Sequence, residues 1–102
     1  MKFIIFLLFI FGFSAHAVEF FEGKVTSLEP SYLPTTVAFH MDAGNTTCPV
    51  GTQLKWSKAD QENNKAVYST LLSAMISGKK VRFYINTGDT ACNGQYLHLL
   101  AD

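Results

Sequence analysis

Apolar and polar residues alternate along most of this chain, and one stretch breaks the alternation. "TVAFHMD" (36–42) sets Val37, Phe39 and Met41 on one face and Ala38, His40 and Asp42 on the other. That period of two predicts a strand with one buried side. "TQLKWSK" (52–58) repeats it, with Leu54 and Trp56 opposite Gln53, Lys55 and Ser57. In "KVRFYIN" (80–86), Val81, Phe83 and Ile85 point inward and Arg82, Tyr84 and Asn86 outward. "QYLHLLA" (95–101) sets Leu97 and Leu99 opposite Tyr96 and His98. "FEGKVTSL" (21–28) reads as the first strand, with Gly23 as a candidate bulge. "EPSYLPTT" (29–36), "AGNTTCPVG" (43–51) and "TGDTACNG" (87–94) carry the turn residues of loops.

The break comes at "NKAVYSTLLSAMISG" (64–78), where the apolar spacing turns helical from Lys65 to Ser77. Val67, Leu71, Ala74 and Gly78 form one row; Tyr68, Leu72, Met75 and Ile76 form a second. Asp60 or Asn63 supplies the N-cap, and Glu62 suits the positive end of the helix dipole. Gly78 fits the left-handed position past the last turn. One apolar row suffices to cover a sheet. The second predicts an interface with another copy, unless the helix is buried on both sides.

The order is strand, strand, strand, helix, strand, strand. This predicts a mainly β protein with one helix. Five short strands leave two edges that an open sheet this small cannot hide, so closure into a barrel is expected. The five-stranded OB-fold barrel, with its helix between strands three and four, has this order.

"MKFIIFLLFIFGFSAHA" (1–17) opens with Lys2, an apolar run and Ala15-His16-Ala17, the features of a cleaved signal peptide. The expected mature chain, 18–102, is a single domain, secreted or periplasmic. Losing Lys2 leaves seven basic against eight acidic residues, a net charge of −1. That balance disfavours nucleic acid and anionic membrane surfaces as partners. No later apolar run is long enough for membrane insertion. Cys48 and Cys92 are the only cysteines, and an oxidising compartment predicts a disulfide between them. Closing that loop is worth about 4 kcal/mol in the chain-entropy account. They lack the spacing or companions of a metal pair or a redox motif.

Catalytic chemistry finds little purchase. His40 and His98 stand alone, and pairing them with Asp42 and Asp89 gives no metal-ligand spacing. No serine sits in a GxSxG context. Glu19, Glu22, Asp42 and Asp89 offer no evident acid pair. The expectation is a non-enzymatic chain without metal or cofactor. Trp56 either packs in the core beside Leu54 or stacks on a sugar. Tyr84 faces outward and is the better stacking candidate. Tyr32 sits in a proline-flanked loop, and "NTT" (45–47) matches a glycosylation sequon.

"YSTLLSAMISGKKVRFYI" (68–85), led by "LKWSKADQENN" (54–64), resembles the helix and following strand of bacterial toxin B subunits of the subtilase-cytotoxin type. "FEGKV" (21–25) is similar to that family's first strand, and "FHMDAG" (39–44) to its second. The resemblance is distant and spread in short pieces over the mature chain. It implies a pentameric ring of OB-folds, helices around a central pore, and cell-surface glycan binding on the barrel side. A glycoprotein ligand and a toxin A subunit are the implied partners. Asp42 matches the acidic position after strand two, and Tyr84 the aromatic of strand four. Glu22 replaces the small hydroxyl residue that meets sialic acid, and its charge disfavours that sugar. With Arg82 and Asn86 beside Tyr84, these five residues form the expected glycan site. Tyr68, Leu72, Met75 and Ile76 form the expected subunit interface. The alternative is a monomeric domain binding or inhibiting a protein partner through loops 29–36 and 87–94.

Overall fold

The structure, a computed structural model, describes residues 17–101; the targeting segment read at 1–17 lies outside it but for Ala17. The strands are β1 (Val18–Glu29), β2 (Val37–Met41), β3 (Leu54–Trp56), β4 (Lys80–Asn86) and β5 (Gly94–Leu99). One helix, α1 (Gln61–Ser77), follows β3, and a short 3-10 turn spans Pro30–Tyr32. All five strands join one antiparallel sheet in the order β3-β2-β1-β4-β5, making an α+β fold. The sheet is not closed. Backbone pairing between its two ends, β3 and β5, is limited to one isolated parallel bridge, Lys55 to Asn93 just before β5, beside a hydrogen bond from Lys55 N–H to the Cys92 carbonyl.

β1 is the spine, because its two halves pair with different strands. Val18 to Lys24 run against β4, and Val25 to Glu29 against β2. The register slips between Val25 and Ser27, so the irregularity lies at Thr26 and not at Gly23. Gly23 answers a different need. A Cβ there would stand 2.6 Å from both the Ala43 Cβ and the Asp42 carboxylate, so close approach of the 42–43 turn excludes a side chain.

Alternation holds along β3 and β4 and along the inward side of β1, but not in β2, where Ala38, expected to face outward with His40 and Asp42, is buried. Phe21, Val25, Val37, Phe39, Met41, Leu54, Trp56, Val81, Phe83 and Ile85 pack into one core with Leu71 and Ala74 of α1. Phe83 meets Phe21 and Phe39 ring edge to face. β5 departs from the expectation too: Leu97 is half-buried and Leu99 is 47% exposed, whereas β3, the other edge, buries Leu54 and Trp56.

The helix starts earlier than the apolar spacing implies. Asp60 is the N-cap, its carboxylate accepting the N–H groups of Glu62 and Asn63. Gly78 ends it at φ 72°, with Lys79 N–H returning to the Ala74 carbonyl. Leu71 and Ala74 are buried, as the first row requires. In the second row Tyr68 packs on the core and Leu72 is half-buried, while Met75 and Ile76 face solvent, Ile76 at 77%.

Asn64 is fully buried and fully used. Its amide nitrogen donates to the carbonyls of Pro34, Thr35 and Lys58, and its oxygen accepts Lys58 N–H at 2.9 Å. One side chain thus joins the loop before β2, the segment after β3 and the helix.

Candidate functional site

Antiparallel register stacks the outward residues of β1, β4 and β5 into ranks. Phe20, Tyr84 and Tyr96 form one rank, and Glu22, Arg82 and His98 the next. Tyr84 is the hub. Its ring lies 5.3 Å from Phe20, 5.8 Å from Tyr96 and 5.0 Å from His98, centroid to centroid. Phe20 is 52% exposed and Tyr96 57%, so two open rings flank a half-buried one. The three rings make a continuous aromatic strip across the outer side of the sheet.

A charged pair borders the rings. Arg82 Nε donates to the Glu22 carboxylate at 2.6 Å, and its guanidinium sits 5.4 Å over the Phe20 ring. Tyr84 first, and Glu22 second, hold the Arg82 guanidinium above its ordinary value, so it stays charged. Both side chains of the pair are partly exposed, leaving hydrogen-bonding capacity at the rim.

Of the five residues expected to form the ligand site, the fold brings Glu22, Arg82 and Tyr84 together. Asn86 continues the same face, opposite Val18, and lines a small hollow with Gln95 and Tyr96. Asp42 is placed apart. Its Oδ1 accepts Lys24 N–H at 2.7 Å and lies over the inward side of Gly23. Phe20, Tyr96 and His98 join this face beyond the five residues that the sequence suggests. Phe20 fell outside a strand read as starting at Phe21, and the pairing of Tyr96 with Tyr84 is a register that no single strand reveals.

The remaining candidates have structural employment. Trp56 is buried, and its indole Nε1 donates to Asn63 Oδ1 at 2.8 Å. Tyr32 is exposed beside a shallow hollow lined by Thr36, Ala38, Gln53 and Lys55. His40 faces Glu29 at 3.4 Å. Asp89 organises its own loop, accepting Ala91 and Asn93 N–H on its two carboxylate oxygens. Among the described residues, no three His, Cys, Asp or Glu side chains are placed to hold a metal ion.

The 43–51 and 87–93 loops are locked together at the end of the ranks. Cys48 and Cys92 form the expected disulfide. Glu19 adds a second clasp: its carboxylate accepts Gly88 N–H, the Thr47 hydroxyl and the Asn45 amide. Gly88 first and Thr47 second hold its carboxyl below the usual range against desolvation, with Asn45 adding the least. The sequon asparagine is therefore half-buried and engaged through the nitrogen that a glycan would occupy.

The molecule is thus an α+β domain with a disulfide-clasped end and an exposed aromatic face on its sheet. Among the described residues no helix is long and apolar enough to cross a membrane. No protein-family model, curated protein or solved structure matches the chain.

Proposed function

We propose that this chain is a secreted, non-catalytic protein that binds glycans on the outer face of β1, β4 and β5. The observation that carries the reading is the rank Phe20–Tyr84–Tyr96, with two rings open to solvent beside the Arg82–Glu22 pair. Sugar rings offer apolar C–H faces to aromatic planes and hydroxyls to charged neighbours. Face and rim here supply both. Glu22 beside Arg82 partly cancels the cation, which favours neutral sugars over sialic acid.

The same proposal assigns the domain to the OB type, whose barrel is partly open. The strand order and the single β3–β5 bridge support that assignment. Self-assembly into a ring like that of toxin B subunits belongs to the proposal too. Met75 and Ile76, exposed on α1 next to half-buried Leu72 and Tyr68, are its contact surface. A glycan array with the mature chain tests the binding, and native mass spectrometry tests the assembly. The expected result is an array signal that Tyr84→Ala removes while the oligomer persists. A wild-type chain silent on a broad array overturns the glycan reading; a strict monomer at micromolar concentration overturns the ring.

A further inference from the structure

Where β3 and β5 fail to close the sheet, a groove of about 520 Å³ opens. One wall is Gln95, Tyr96, Leu97 and His98. Consecutive residues of a strand point to opposite faces, so four in a row line one groove only along the strand's edge. The opposite wall is Asp60, Asn63 and Val67, one face of the first turns of α1. Among the described residues no strand pairs with this edge of β5. Leu100 N–H donates to the Lys80 carbonyl, so by alternation Leu97 and Leu99 turn their N–H and C=O groups away from β4. An edge of this kind is a template for a further strand.

The groove is blocked at one end. There Lys55 pairs with Asn93 and its N–H meets the Cys92 carbonyl, joining β3 to the start of β5. Lys58 stands at that end, its Nζ on the Gly94 carbonyl at 3.0 Å and the Gln95 amide oxygen at 3.4 Å, and 4.8 Å over the Trp56 ring. Both its oxygen partners are neutral, so among the described residues this half-buried cation has no carboxylate partner. Asp60 lines the same groove, its carboxylate held at the helix start by the Glu62 and Asn63 N–H groups and not in ion-pair contact with Lys58. His98 lies toward the open end.

We propose that this groove takes an extended peptide as an added strand on β5, with the peptide's free C-terminal carboxylate at Lys58. A blocked end admits a chain terminus and no through-running segment, and a cation there with no carboxylate in ion-pair contact selects the carboxyl terminus. The peptide then runs antiparallel to β5, taking hydrogen bonds from the free sides of Leu97 and Leu99. Tyr96 and His98 border both this groove and the aromatic face, so the two sites adjoin.

The test selects binders to the mature chain from short random peptides displayed with free C-termini. The best binder is then resynthesised as the acid and as the amide. The acid is expected to bind about tenfold more tightly, the scale of one charge-assisted hydrogen bond. It should also shift the Leu97 and Leu99 amide resonances. Lys58→Met, which removes the charge but leaves an unbranched apolar side chain beside Trp56, should erase the preference for the acid. No selected binder, equal affinity of acid and amide, or unmoved Leu97 and Leu99 amides overturns the proposal. The wild-type comparison decides alone if the variant does not fold.

Discussion

The carboxylate of Glu19 accepts the backbone N–H of Gly88 at 2.8 Å, tying the first residues of β1 to the loop before β5. Thr47 and Asn45 complete the clasp from the other disulfide-bearing loop. Hydrogen bonds to the ionised form lower its pKa in the folded state. The stability this contributes is present above the unfolded carboxylate value and fades as pH falls through the lowered folded value. Thermal unfolding against pH should show wild type above Glu19→Gln at neutral pH, with the gap closing below the 4.5 of a free glutamate. A gap that ignores pH contradicts this role.

Asn64 carries a sharper prediction because it both donates and accepts while fully buried. Asn64→Ala strands several backbone groups and should cost about 3 kcal/mol. Asn64→Asp should cost more, since it sets a carboxylate against the Pro34, Thr35 and Lys58 carbonyls. Urea unfolding of the two variants gives the order directly.

Gly94 lies where Trp56 and Phe83 leave no room. A Cβ would stand 2.5 Å from Phe83 Cε1 and 2.6 Å from Trp56 Cε3. Gly94→Ala should destabilise by about 1–3 kcal/mol through overpacking. Trp56 is the only tryptophan, so its fluorescence should report the displacement without interference.

Ile76 tests the assembly. It is 77% exposed, so Ile76→Glu should leave the stability of an isolated subunit within about 0.5 kcal/mol. Sedimentation should show the oligomer lost. An oligomer that survives the charge places the contact elsewhere.

How much of this was legible depended on whether the relevant chemistry is local. β4 was read to the residue, because Val81, Phe83 and Ile85 alternate with polar neighbours and Gly78 punctuates the helix before it. The start of α1 is not legible in the apolar spacing, since its first turn is polar and is held by the Asp60 cap and the Asn64 and Trp56 hydrogen bonds. Gly23 looked like a bulge, yet it answers to a turn nineteen and twenty residues onward, at Asp42 and Ala43. Tyr84 was singled out from its own strand. Its partners Phe20 and Tyr96 emerge only from the register of three strands. The groove beside β5 was invisible for the same reason: it exists because the sheet stops short of closing.

The central claim is that the Phe20–Tyr84–Tyr96 face holds the glycan, and ring-proton NMR tests it most directly. The mature chain is titrated with the strongest glycan found on the array. The account predicts that the ring resonances of Phe20, Tyr84 and Tyr96 shift together, and that Phe20→Ala with Tyr96→Ala abolishes the titration in a folded chain. Shifts confined to Tyr32 or Trp56, with those three rings unmoved, contradict it.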